Sequence, residues 1–162
     1  MASFPHRVLD SVLNSALLPV TLRTQLMRVC GYPLRRDTCI WSGACFMSKR
    51  FSVGEAVFMN VGFFYDGHDE LRIGDRVRFG QHVRVLTATH PIGPPAERCT
   101  FDVLAGPVEV KDGAWIGAGV TILPGVTIER GCVVAAGSVV TEPTVPDGLY
   151  AGNPARLVRM LP

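Results

Sequence analysis

From Val110 to Val140 an aliphatic residue returns at every sixth position, through Val110, Ile116, Ile122, Ile128, Val134 and Val140. An amphipathic helix repeats its apolar residues three and four apart and a half-buried strand two apart, so neither sustains an unbroken period of six. A parallel β-solenoid does. Each six-residue unit is one short strand plus a turn, and stacked units bury one continuous core. A second series, four residues behind the first, runs through Ala114, Val120, Val126, Cys132 and Ser138. Each unit is therefore expected to direct one bulky and one smaller residue inward.

Upstream the spacing is imperfect through Ile40 and Phe46, then Val53 and Met59, and becomes regular at Ile73, Phe79 and Val85. Val77, Val83 and Thr89 are the expected smaller partners of this block. Between Thr89 and Val110 the period fails around His90, Pro91, Pro94, Pro95 and Gly106. A long irregular insertion in a compact stack is more often functional than not, and an extended loop over 90–107 is expected to project from it. Ahead of the solenoid, Val8, Val12, Leu13, Ala16 and Leu17 share a helical face. Pro19 interrupts, and Leu22, Leu26 and Met27 continue after Thr21 as N-cap. The expected layout is a helical segment over 1–39, the solenoid over 40–145 and a tail over 146–162.

At 162 residues the chain is of single-domain size. Its 19% charged residues and net charge of +2 point neither to disorder nor to a polyanion such as nucleic acid as partner. The five cysteines (Cys30, Cys39, Cys45, Cys99 and Cys132) form no CxxC pair, and their odd number leaves at least one thiol free. A reducing, cytoplasmic setting is the simplest expectation. No apolar window is long enough to span a membrane, and Asp10 and Asn14 fall where an export signal would need an apolar run.

The units Ile73-Gly-Asp-Arg-Val-Arg, Ile116-Gly-Ala-Gly-Val-Thr, Leu123-Pro-Gly-Val-Thr-Ile and Ala135-Ala-Gly-Ser-Val-Val resemble those of the hexapeptide-repeat acyltransferases. Within that superfamily the chain is most similar to the maltose and galactoside O-acetyltransferase branch, over roughly Val53 to Met160. The resemblance implies an all-β solenoid of one kind, a left-handed parallel β-helix with three six-residue units per triangular coil. That hand runs against the usual right-handed crossover rule. It also implies a homotrimer with active sites at subunit boundaries, and acetyl-CoA as cosubstrate with no metal required.

His90, in Thr-His-Pro where the repeat ends, is the best general base among the four histidines, because a neutral imidazole can take the proton of an attacking hydroxyl. The matching histidine is the family's catalytic base. Asn60 matches an asparagine facing it, which either donates to the oxyanion of the attacked thioester or holds the acceptor. Trp115 matches a tryptophan beside the active site, packing on acceptor or pantetheine. By the same resemblance Ala118, Ala136, Thr141 and Glu142 give backbone contacts to coenzyme A. In the closing motif Tyr150-Ala-Gly-Asn-Pro-Ala-Arg, Arg156 and, beyond it, Arg159 bind the coenzyme's phosphates, making 146–162 a coenzyme-binding tail. Tyr65, Asp66 and His68 occupy the region that holds acceptor hydroxyls in relatives, whereas residues 1 to 40 do not reproduce those relatives' N-terminal acceptor-binding module.

The expected reaction is acetyl transfer from acetyl-CoA to a hydroxyl of a sugar or other small hydroxylated acceptor in a ternary complex, with no cysteine nucleophile. Two alternatives share the fold. A metal-dependent hydratase resembling the γ-class carbonic anhydrases would use His68, His82 and His90 as zinc ligands, although the class's histidine pair five apart is missing here. A non-catalytic scaffold would have no affinity for coenzyme A.

Overall fold

The computed structural model describes residues 12–162. Val8 and Asp10, invoked above for an N-terminal helix and against an export signal, lie outside the described residues. Past the N-terminal segment the backbone winds into a left-handed parallel β-helix of short strands, the class expected from the repeat and the resemblance. Its three flat faces carry sheets of seven, five and four strands. The first face runs through Cys39–Ile40, Phe58–Met59, Arg78–Phe79, Trp115–Ile116, Val133–Val134 and Gly148–Ala151, ending on the antiparallel strand Arg156–Met160. The second contains Phe64–Tyr65, Arg84–Val85, Thr121–Ile122 and Val139–Val140, and the third Leu71–Ile73, Val108–Val110 and Thr127–Ile128.

Both inward series of the repeat are realised. Ile116, Ile122, Ile128, Ala114, Val120 and Cys132 are all fully buried. Coils stack so closely that a Cβ on Gly117 would lie 2.5 Å from the backbone nitrogen of Ala136 in the next coil, which is why this turn takes glycine. One inward position departs from expectation. Thr89 is exposed, and Thr87 is the buried residue there, because the chain leaves the stack two residues early. The insertion is itself built: Ala88–Thr89 pairs antiparallel with Leu104–Ala105, and Gly106 N–H donates to the Thr87 carbonyl at 2.9 Å where the chain rejoins the coil.

The N-terminal end is closed by the helix Val20–Val29, which packs on the strand Cys39–Ile40. It begins two residues earlier than expected. Pro19 is the N-cap, its fixed φ leading into the helix, and its carbonyl accepts from the Arg23 N–H at 2.9 Å, so Thr21 lies inside the first turn and caps nothing. Arg23 is 1% exposed and donates to the carbonyls of Leu13, Ser15, Leu18 and Ile40 at 2.6 to 3.3 Å. Burial lowers its pKa from the ordinary arginine value. No helix among the described residues is long and apolar enough to cross a membrane.

Candidate active site

A groove of about 610 Å³ runs along the outside of the first face. Its floor follows from strand parity: Met59, Phe79, Ile116 and Val134 point into the core, so Phe58, Arg78, Trp115 and Val133 point out. These outward residues stand in register, one per coil. Trp115 is 59% exposed, a large aromatic surface left open along the groove. At the rim, where the first face turns toward the second, lie Asn60, Gln81, Ala118 and Ala136. The side-chain oxygen of Asn60 accepts from the Val61 N–H at 2.8 Å, so its amide NH₂ is the part of the side chain that can donate to another group. Four expected site residues, Asn60, Trp115, Ala118 and Ala136, thus share one groove.

His90 does not line it, nor does any other residue of the insertion. The insertion leaves the stack at the corner between the second and third faces, one full side of the prism away from Asn60. There the His90 Nδ1 meets the Asp102 carbonyl at 2.7 Å. A carbonyl only accepts, so Nδ1 carries the proton and Nε2 keeps its lone pair, the arrangement a general base requires. The same corner holds His68, exposed, and one coil pair further on Thr141 and Glu142. Arg156 and Arg159 sit on the last strand of the first face, exposed and outside every ion pair among the described residues.

Two expected acceptor contacts are structural instead. Tyr65 is fully buried, inward by strand parity, and its hydroxyl donates to the Arg50 carbonyl at 2.8 Å and also contacts the Asp69 carbonyl. Burial raises its pKa, so the phenol stays protonated. Asp66 is spent on the next coil: its carboxylate accepts from the backbone N–H groups of Thr87 and Ala88 at 2.9 to 3.2 Å and from the Thr87 hydroxyl. It pins the base of the His90 hairpin. Tyr65 cannot reach an acceptor without unpacking the coil, and the half-buried Asp66 already accepts from three groups of the next coil.

Sequence reasoning missed Phe58, Arg78 and Gln81. Arg78 is the register partner of Trp115, but the insertion sets them 37 positions apart and hides that relation. No sequence signal marks the Asp102 carbonyl. Burial raises the pKa of Cys39, on the first coil of the same face but outside the groove, which disfavours a thiolate there. Within a single chain no group of three or more His, Cys, Asp or Glu among the described residues could hold a metal ion, and His82 lies at the Asn60 corner rather than with His68 and His90.

Residues 107–142 match the bacterial transferase hexapeptide (six repeats) family. A hexapeptide-repeat acetyltransferase of Vibrio cholerae, solved with acetyl coenzyme A, superposes with a TM-score of 0.86 at 31% identity, covering 96% of this chain and 85% of that one. A maltose O-acetyltransferase of Clostridium difficile superposes at 0.76 with 27% identity, covering 96% and 84%. The galactoside O-acetyltransferase of Lactococcus lactis is 33% identical over 119 residues, 73% of this chain and 56% of that protein. Against the curated relatives it matches first, the chain spans between 52% and 61% of their length. With a shared fold across nearly its whole length, a shared repeat and this level of identity, the chain belongs to the hexapeptide-repeat acetyltransferases.

Proposed function

We propose that the protein transfers an acetyl group from acetyl-CoA to a hydroxyl of a small acceptor, in a site that two copies of the chain complete. The observation that carries this reading is the division of labour within one chain. The groove on the first face holds an amide donor and open aromatic surface but no base. The corner between the second and third faces holds an oriented base, His90, outside that groove. Exposed apolar residues lie on both parts, Trp115 in the groove and Phe101, Val103 and Leu104 on the hairpin, as surfaces that meet in an oligomer would require. A closed trimer in which each copy's hairpin covers its neighbour's groove would satisfy both.

In that arrangement His90 Nε2 removes the acceptor hydroxyl proton as the oxygen attacks the thioester carbonyl carbon. The Asn60 NH₂ and backbone N–H groups at the rim stabilise the negative charge on the former carbonyl oxygen. Collapse breaks the carbon–sulfur bond, and the thiolate takes the proton from the imidazolium to leave as coenzyme A. The coenzyme's arm would run along the rim past Ala118 and Ala136 to Arg156 and Arg159, whose guanidinium forks suit phosphate oxygens. Support for an oxygen acceptor comes from the sugar O-acetyltransferases among its relatives.

Thiol release from acetyl-CoA, measured over a panel of sugars and other hydroxylated compounds, tests the reading. Wild type is expected to turn over at least one acceptor, with His90→Ala slower by about 10² to 10⁴. Equal rates for the two proteins on every acceptor would remove His90 from its role, and stoichiometric zinc in active protein would favour hydratase chemistry.

A further inference from the structure

The groove carries a single charge. Among its lining residues Arg78 alone is ionised, and no carboxylate accompanies it. It points outward between Phe58 and Trp115 on the same ladder, with Asn60 at the rim one coil away. One guanidinium N–H donates to the Ala56 carbonyl, which tethers the side chain while leaving most of the fork's five donors unused. Arg78 is exposed and belongs to no ion pair among the described residues. A cation held beside aromatic surface, with no internal counter-ion, favours an anionic ligand.

We propose that Arg78 selects an acceptor bearing a carboxylate or comparable anionic group, such as a hydroxylated acid, over its neutral counterpart. This inference rests on the acetyl-transfer reading and narrows its substrate class. The competing source of negative charge is coenzyme A itself. Strands of the first face follow one another at about 4.8 Å, and four steps separate Arg78 from the strand of Arg159. The phosphate-binding arginines thus lie roughly 19 Å along the stack from Arg78. Arg78 is one coil from Asn60, where acceptor and thioester would meet in the proposed reaction.

The test compares matched acceptors in the thiol-release assay: glucuronic against glucose, galacturonic against galactose, and a hydroxybenzoate against its amide. Wild type is expected to prefer the acid of at least one pair by about 10- to 100-fold in kcat/KM. Arg78→Gln should remove that preference by lowering turnover of the acid alone, Arg78→Lys should restore part of it, and the KM for acetyl-CoA should stay unchanged in both. Neutral acceptors used as well as or better than their acids would overturn the inference while leaving acetyl transfer intact. A raised KM for acetyl-CoA in Arg78→Gln, with acceptor preference unaltered, would reassign the arginine to the coenzyme and also overturn it. No thiol release on any acceptor, from protein that fails to bind coenzyme A by calorimetry, would sink acetyl transfer and this inference together.

Discussion

The two halves of the solenoid solve the same packing problem differently. In the C-terminal half, coils such as Trp115 to Val133 take eighteen residues, the inward positions from Val108 to Val140 are small or aliphatic with no aromatic ring among them, and glycine sits at the tightest turns. In the N-terminal half, Cys39 to Phe58 takes nineteen and Phe58 to Arg78 twenty, and the core is aromatic. Phe46 and Phe51 stack at 4.9 Å between centroids, and Phe63 meets Phe79 edge-on at 5.0 Å. The extra residues emerge at the corner that later carries the hairpin, within Met47 to Arg50 on the first coil and Asp66 to Glu70 on the second. In the proposed reaction the regular half would supply a straight wall for the coenzyme to lie along, and the irregular half the groups, Asn60 and His90, that act on it.

Substitutions can separate these roles. Arg23 anchors the helical cap on the irregular end, and Arg23→Ala would strand four carbonyls, two of them buried and two half-buried. We expect a loss of about 3–5 kcal/mol by urea denaturation. A loss under about 1 kcal/mol would show that the helix is dispensable to the stack. In the regular half Ile122→Ala should cost about 2–5 kcal/mol, because rigid neighbouring coils cannot collapse into the cavity. Asp66→Asn turns one acceptor oxygen into a donor facing the Thr87 and Ala88 N–H groups. It should cost about 1–3 kcal/mol and speed proteolysis within the hairpin while leaving the rest of the solenoid protected. The smallest effect should come at Arg76, which holds φ at 55° on a corner where later coils place Gly113 and Gly131. Arg76→Gly relieves left-handed strain but loosens the unfolded chain, so the two terms offset to within about 0.5 kcal/mol. A larger stabilisation would mean the irregular half is strained rather than merely different.

The regular half was legible because a period of six leaves one solution for its core, and Cys132 and Val126 fell where the spacing put them. Across the break the sequence misled by two residues: Thr87, not Thr89, is the last inward position, since Asp66 from the coil below captures it first. Tyr65 and Asp66 were expected as acceptor contacts because they occupy the region that holds acceptor hydroxyls in the relatives the chain resembles. Strand parity buries one, and a coil-to-coil bond occupies the other. Asn60 and Trp115 were identified together and the structure puts them in one groove. Arg78 escaped notice because its relation to Trp115 exists only across the insertion.

The central claim is that catalysis needs Asn60 from one copy and His90 from another. It is tested most directly by unfolding Asn60→Ala and His90→Ala together in equal amounts, refolding the mixture and measuring thiol release. In a randomly mixed ring, roughly one interface in four pairs an intact groove with an intact base, so activity should recover to about a quarter of wild type. A mixture no more active than the two variants refolded apart would contradict the claim and return both residues to a single chain's site.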